Sequence, residues 1–174
     1  NWGAHYLDIA QWGNGADDTG PVEIEGKGDF PQSGLFTTAK KADIEYTYAN
    51  GVKLVLKTGG GNTRFEGSEG WVFVTRGKID AEPKSLLETK IGPDEIQLYK
   101  SRDHKQNFLD CIKSRKDPIA SAEIGHRSST VCHLGNIAML LGRKLKWDPE
   151  KERFTNDPAA NRMVARGMRA PWRL

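Results

Sequence analysis

A series of short strand-like runs in the first half of the chain constrains the fold more than any other feature. From Val22 to about Trp71 these runs are rich in β-branched and aromatic residues, and Ile44, Tyr46 and Tyr48 occupy alternate positions in one of them. The Asn50-Gly51 pair between two runs is typical of a tight hairpin. The pattern predicts a mostly antiparallel sheet. The predicted strands are Val22–Glu25, Ile44–Tyr48, Val52–Lys57, Trp71–Thr75 continuing towards Lys78–Asp80, and Glu95–Tyr99.

Helices are predicted before and after these strands in the sequence. The segment Trp2–Trp12 suits a helix that ends at Gly13, Asn14 and Gly15, because these residue types tolerate left-handed backbone. A longer helix begins after its capping residue Ser121 and ends at Gly142. Its apolar line should cover the sheet. That line consists of Val131, Leu134, Ile137, Ala138 and Leu141.

Two further helices are predicted in the second half of the chain. One spans Arg102–Arg115, and its core-facing residues are Phe108, Leu109 and Ile112. The other begins at Asp157-Pro158, with Asp as N-cap and Pro at the first helical position. The arginines on this last helix are Arg162, Arg166 and Arg169. The sequence thus predicts an α/β fold of the α+β type, an open and mostly antiparallel sheet with helices packed on one face.

Composition supports one folded domain over residues 1–174. The chain has 26 Lys and Arg against 23 Asp and Glu, a net charge of +3, and 37% hydrophobic residues, which argues against disorder. No apolar run reaches the roughly 18 residues of a membrane span, and the basic residues are too dispersed to indicate a nucleic-acid partner. Cys111 and Cys132 are too few for a disulfide framework, so we expect both to be buried as small apolar residues.

The first predicted helix carries the strongest candidate for a functional site. On a helix, Asn1, His5, Asp8 and Trp12 fall at i, i+4, i+7 and i+11 and so share one face. Ala4, Leu7, Ile9 and Ala10 lie off that line and are expected to be buried. Histidine exchanges a proton near neutral pH, a carboxylate binds hydroxyl groups or orients the imidazole, and the indole offers a flat apolar wall. The competing interpretation is an ordinary surface helix whose polar side meets water.

Other candidate sites are weaker. Three glycine pairs lack the third glycine of a G-x-G-x-x-G fingerprint, so we expect no dinucleotide site in this chain. His126 and His133 share a face of the long helix, but two histidines do not make a metal site, and no metal is expected. Arg127, beside His126, could bind a substrate oxygen. The last-helix arginines are most simply a solvated face, with an anion or partner site as the alternative.

The opening segment, residues 1–12, resembles the start of the C-terminal domain in the Gfo/Idh/MocA oxidoreductase family, which includes glucose-fructose oxidoreductase and inositol dehydrogenases. That family carries an Asp, three further residues, a His, and a second Asp three residues later; His5 and Asp8 match the last two. The resemblance covers nearly the whole chain. It continues through residues 65–71, 107–112, 125–128 and 171–172.

The resemblance implies an N-terminal Rossmann domain, absent from this chain, that binds NAD or NADP and supplies a catalytic lysine. This chain, whose first residue is Asn1 rather than Met, would be the substrate and oligomerisation domain and inactive alone. The implied substrate is a sugar, sugar derivative or cyclitol. His5 would be catalytic, and the expected substrate-binding residues are Asn1, Asp8, Trp12, His126 and Arg127. We also expect a homo-oligomer formed through the sheet. The sequence leaves the location of the protein open between the cytoplasm and, as for relatives exported by a twin-arginine route, the periplasm.

One position departs from the family pattern. Asn1 stands where the family usually has Asp, and an amide cannot stabilise a protonated imidazole as a carboxylate does. Two alternatives therefore stay open. One is the family's NAD-dependent glycoside-cleaving branch, and the other is a non-catalytic carbohydrate-binding or oligomerisation domain.

Overall fold

The computed structural model describes residues 2–172, apart from the side chain of Trp2. The chain forms two compact units. The first contains the residues up to Gly61 together with those from Arg127 onward, and the second is Asn62–His126. In chain order the elements are α1 (Trp2–Gly13), β1 (Glu23–Asp29), β2 (Lys41–Thr47), β3 (Lys53–Lys57), β4 (Thr63–Gly67), β5 (Gly70–Thr75), β6 (Lys78–Glu82), a 3-10 helix (Lys84–Glu88), α2 (His104–Ser114), α3 (Ala122–Leu141), β7 (Leu145–Asp148), β8 (Arg153–Phe154) and α4 (Pro158–Asn161).

The first unit is built on a five-stranded sheet with the order β3-β2-β1-β7-β8, in which every pairing is antiparallel. The register places Tyr46 opposite Ile24 on one side and Leu54 on the other. The alternation of the strands therefore puts the apolar residues on one face, where they meet α1 and α3. Residues of this core include Leu7, Ile24, Ile44, Tyr46, Val131, Leu134, Ile137, Leu145, Trp147 and Phe154.

Two glycines lie where helix α3 packs against the sheet. A Cβ atom at Gly135 of α3 would lie 2.1 Å from the Tyr46 hydroxyl, and one at Gly26 of β1 would lie 3.2 Å from Met139 of α3. Any larger residue at Gly135 would push the helix away from β2. Because Gly135 has no side chain, α3 can pack against β2 at this point. Gly26 lies under the same helix and is not part of a phosphate-binding loop.

The second unit contains the three-stranded antiparallel sheet β4-β5-β6 and helix α2. The Arg64 guanidinium lies 4.6 Å from the centre of the Trp71 ring, a cation–π contact between neighbouring strands. Asp103 caps α2 by accepting a hydrogen bond from the Gln106 N–H at 2.9 Å. Cys111 is the buried residue of this helix.

The predicted fold class is confirmed, and so are several boundaries. Gly142 ends α3 in the left-handed conformation with φ +63°, and Ser121 accepts a hydrogen bond from the Ile124 N–H. The Asn50-Gly51 hairpin is also confirmed. Since the Tyr48 N–H bonds the Val52 carbonyl, its loop has three residues rather than two.

Three details of the prediction are wrong, and one strand was missed. Glu95–Tyr99 is not a strand: a turn closed by the Glu95 N–H and the Gly92 carbonyl precedes it, and residues 96–99 have no regular secondary structure. Strand β4 was not predicted. The three residues of α2 that were predicted to face the core are about half exposed; they are Phe108, Leu109 and Ile112. Of the two cysteines, Cys132 is only partly buried.

The last helix is also much shorter than predicted. It ends at Asn161, whose side chain bonds both the N–H and the carbonyl of Phe154 at 2.8 Å and so ties the chain back to β8. Arg166 and Arg169 consequently lie outside any helix, and Arg162 is the C-cap residue. A line of arginines on one helical face does not exist.

The start of α4 makes a testable contribution to stability. Asp157 caps the helix through the Ala160 N–H and pairs with Arg143. The Arg143 hydrogen bond, and after it the Ala160 N–H, lower the pKa of Asp157 to about 2. Because the folded-state pKa lies below the unfolded one of about 3.9, the stabilisation is present above pH 4 and is lost as the pH falls towards 2.

We expect Asp157→Asn to lose stability at pH 7 and to show a smaller further loss on acidification. Urea unfolding of the wild type and of Asp157→Asn, at pH 7 and at acidic pH, tests this. An equal loss of stability on acidification in the two proteins would contradict it.

Candidate functional site

Helix α1 positions the candidate site, and its buried side fixes its orientation. Leu7 is 2% exposed and Gln11 is 0% exposed. The helix ends in the predicted glycine segment, where Gly15 has φ +62° and its N–H bonds the Trp12 carbonyl at 2.9 Å. One side of the helix therefore faces the core of the first unit.

Gln11 is the central residue of a buried polar network. Its amide nitrogen donates to the Ala16 carbonyl at 2.8 Å and to the Thr19 carbonyl at 3.1 Å, while its amide oxygen accepts a hydrogen bond from the Tyr48 hydroxyl. Burial raises the pKa of Tyr48, so its hydroxyl keeps the proton that it donates. This network holds α1 against Tyr48, the residue that follows β2, and against the loop that follows α1. It was not predicted. The sequence signal that could have indicated it is Gln11 itself, a polar residue one turn after Leu7 on the apolar side of the helix.

The opposite side of α1 carries the predicted functional stripe. His5 and Asp8 are exposed, and Trp12 is 54% exposed. All three side chains are exposed on α1, as expected of one outward face, and their roles in a site stay predictions. Ala4, expected to be buried, is exposed. The fourth member of the stripe, Asn1, lies outside the described residues.

Asp8 is anchored to another helix. Its Oδ1 accepts a hydrogen bond of 2.6 Å from the hydroxyl of Ser128 on α3. Desolvation by burial raises the pKa of Asp17, and the charges of Asp8 and Asp18 add to this effect. The carboxylates of Asp8, Asp17 and Asp18 are thus close enough for their charges to interact. A carboxylate with one anchored oxygen suits hydrogen bonds from uncharged hydroxyl groups.

The two other predicted substrate-binding residues have separate environments. Arg127 is held at the turn between β7 and β8, where its guanidinium donates to the Pro149 carbonyl at 2.7 Å and pairs with Glu152 at 3.2 Å. Its side chain is 16% exposed. His126 belongs to the second unit and is exposed, three residues after Glu123 on α3. The structure thus joins Ser128, rather than Arg127, to the stripe on α1.

Metal ligation is not supported by the side-chain arrangement. Among residues 2–172, no group of three or more His, Cys, Asp and Glu side chains is placed to hold a metal ion. Over the same range, no helix has the length and apolar character needed to cross a membrane.

Two buried tyrosines provide a matched test of the network behind α1. Tyr48→Phe leaves the buried oxygen of Gln11 without its donor, so we expect a loss of about 2 kcal/mol in the free energy of unfolding. The Tyr46 hydroxyl is equally buried but has no hydrogen-bond partner among the described residues. We expect Tyr46→Phe to cost nothing or to gain about 1 kcal/mol. Chemical denaturation measures both variants, and equal losses would contradict the assignment.

The family model described as "Oxidoreductase family, C-terminal alpha/beta domain" matches residues 1–174. No curated protein matches the sequence. Among solved structures, aldose-aldose oxidoreductase from Caulobacter crescentus, complexed with glycerol, is similar with a TM-score of 0.62 at 16% identity. The match covers 83% of this chain and 45% of that one.

Two further solved structures share the fold. The WlbA dehydrogenase from Bordetella pertussis, in complex with NADH and UDP-GlcNAcA, has a TM-score of 0.55 at 13% identity, covering 85% of this chain and 44% of that one. UDP-N-acetylglucosamine 3-dehydrogenase GnnA from Acidithiobacillus ferrooxidans has a TM-score of 0.52 at 16% identity, and the match covers 80% of this chain and 46% of that one. This chain thus matches somewhat less than half of each. These low identities show the fold alone. The match of the family model over residues 1–174 shows that the chain belongs to the Gfo/Idh/MocA oxidoreductase family, as a C-terminal alpha/beta domain.

Proposed function

We propose that this chain is the C-terminal domain of a longer NAD(P)-dependent oxidoreductase that acts on a sugar, a sugar derivative or a cyclitol. Membership of the family supports the reaction class. The solved structures it resembles are more than twice as long as the matched region, which supports a further domain. One of them is named with NADH and a UDP-sugar, and another with glycerol, which supports the cofactor and a polyhydroxylated substrate.

The observation that carries the proposal is the outward face of α1. It presents His5 and Asp8 on one rigid element whose opposite side is held in the core by Leu7 and Gln11. In this role His5 accepts the proton of the substrate hydroxyl while the carbon that bears it is oxidised. Asp8 accepts a hydrogen bond from a neighbouring hydroxyl, and Trp12 lines the site with an apolar surface.

The glycine pair Gly26 and Gly28 does not fit a dinucleotide phosphate site. Gly26 and Gly28 lie within β1, where Met139 of α3 covers them. They are therefore unavailable as a phosphate loop at a helix N-terminus. We propose that the rest of the protein holds NAD or NADP, which would accept the hydride, and that this chain binds and orients the sugar and handles the proton.

The test uses the complete protein that contains this chain. Reduction of NAD or NADP is measured with a panel of neutral sugars, cyclitols and nucleotide sugars. We expect turnover with at least one of them and none from the isolated chain. Sugar binding without turnover would favour a non-catalytic carbohydrate-binding domain. Release of a glycosidic leaving group without net cofactor reduction would favour the glycoside-cleaving branch. Neither binding nor turnover would contradict the proposal.

We also propose that copies of the protein associate through the outer face of the five-stranded sheet. This face is charged: Lys27 lies opposite Asp43, which pairs with Lys57 at 3.5 Å. Rows of opposite charge can meet their counterparts in a second copy, and such a contact is weakened by salt. Light scattering should give a dimer or larger assembly at low salt and a smaller mass at high salt or for Lys27→Glu. A mass that stays monomeric at low salt would contradict the proposal.

A further inference from the structure

The hydrogen bond between Ser128 and Asp8 joins two elements that are 120 residues apart in the sequence. The Ser128 hydroxyl donates to Asp8 Oδ1 at 2.6 Å, a short distance that is typical of a bond to an ionised carboxylate. Ser128 is 8% exposed, whereas Asp8 is exposed. A buried donor therefore holds an exposed acceptor.

The donor itself is rigidly placed. Val131 and Leu134, three and six residues later on the buried side of α3, are 0% and 2% exposed in the core. The preceding residue, Arg127, is fixed to the Pro149 carbonyl and the Glu152 carboxylate. Helix α3 consequently cannot rotate at this turn without losing core contacts and an ion pair. The position of the Ser128 hydroxyl is determined by the fold rather than by Asp8.

The direction of this bond is informative. A serine inside a helix commonly donates its single proton to the carbonyl four residues earlier. Here that proton goes to Asp8. The bond occupies one carboxylate oxygen and restricts rotation of the group, while the second oxygen keeps its capacity to accept a hydrogen bond. The Ser128 hydroxyl thus orients a side chain that the fold otherwise leaves on the surface.

We propose that Ser128 is a positioning residue that holds one oxygen of the Asp8 carboxylate, so that the other oxygen is presented to a hydroxyl of the substrate. This inference rests on the proposed function. It assigns Ser128 to substrate orientation and not to the proton transfer itself. Its loss should therefore weaken substrate binding more than it slows the chemical step.

The test compares Ser128→Ala and Ser128→Thr with Ser129→Ala in the complete protein, using the sugar that is turned over best. Ser129 is the exposed neighbour and serves as the control. We expect Ser128→Ala to raise KM about five- to tenfold with kcat changed less than about twofold. Ser128→Thr, which keeps the hydroxyl, should restore KM, and Ser129→Ala should not change it. An unchanged KM, or equal changes in KM and kcat that Thr does not restore, would overturn the inference.

A double-mutant cycle and a structure make the test independent of turnover. If Ser128 acts through Asp8, adding Ser128→Ala to Asp8→Ala should change KM no further, whereas additive effects would overturn the inference. If no sugar is turned over, the proposed function fails. Crystal structures then decide the orienting role, with one Asp8 carboxylate orientation expected in the wild type and a rotated or disordered one in Ser128→Ala. An identical Asp8 conformation in both would overturn it.

Discussion

Replacing His5 with alanine in the complete protein is expected to reduce turnover by about 10²- to 10⁴-fold, the contribution of a positioned general acid or base. The imidazole lies on the outward face of α1, beside the anchored Asp8 carboxylate. Because His5 is exposed, its removal should leave the free energy of unfolding nearly unchanged. The loss should appear in kcat, because the proton is transferred in the chemical step.

His133→Ala is the matched control for this experiment. His133 is also exposed on a helix, α3, and no role in the site is proposed for it. We expect it to retain full turnover. A His5→Ala enzyme that keeps turnover within about twofold of the wild type would remove His5 from the mechanism, even if a sugar still binds.

Replacing Gly135 with alanine is expected to cost about 3 kcal/mol of stability, at the upper end for overpacking a core. The new Cβ would lie 2.1 Å from the Tyr46 hydroxyl and 3.0 Å from Ile44 Cδ1. Tyr46 is 0% exposed, so its ring cannot move away without disturbing the sheet. The clash outweighs the gain of up to about 1 kcal/mol that alanine normally brings inside a helix. Chemical denaturation measures the difference.

The same helix supplies a control with the opposite expected sign. At Gly125, a Cβ would meet no atom within 4 Å, so Gly125→Ala should be neutral or gain about 0.5 to 1 kcal/mol. Removing the clashing hydroxyl with Tyr46→Phe should recover part of the loss in Gly135→Ala. If Gly135→Ala were as stable as Gly125→Ala, or if Tyr46→Phe recovered nothing, the close packing of α3 on β2 would be contradicted.

The fold was predictable wherever local pattern and tertiary packing agree. The alternation at Ile44 and Tyr46 and the capping residues of α3 were enough to predict the sheet and its covering helix. The prediction failed where a side chain competes with regular structure. Asn161 bonds the backbone of Phe154 and ends α4, and no local propensity reveals that contact.

The candidate site was predictable in part. Helical spacing correctly placed His5, Asp8 and Trp12 on one face, because periodicity within a helix depends on its geometry alone. Ser128 could not be assigned to Asp8 from the sequence, because the two residues meet only after α1 and α3 pack on the sheet. Arg127 was predicted to bind substrate because of its charge. Its partners, the Pro149 carbonyl and Glu152, are likewise set by tertiary structure.

The most direct test of the central claim is a crystal structure of the complete protein with NAD(P) and a sugar that it oxidises. The measured quantity is the distance from the His5 imidazole to the hydroxyl oxygen on the carbon that faces the nicotinamide. We predict about 2.6–3.2 Å, or contact through one water, with Asp8 bonded to a neighbouring hydroxyl. A sugar bound next to the nicotinamide with no hydroxyl within hydrogen-bond reach of His5 would contradict the account.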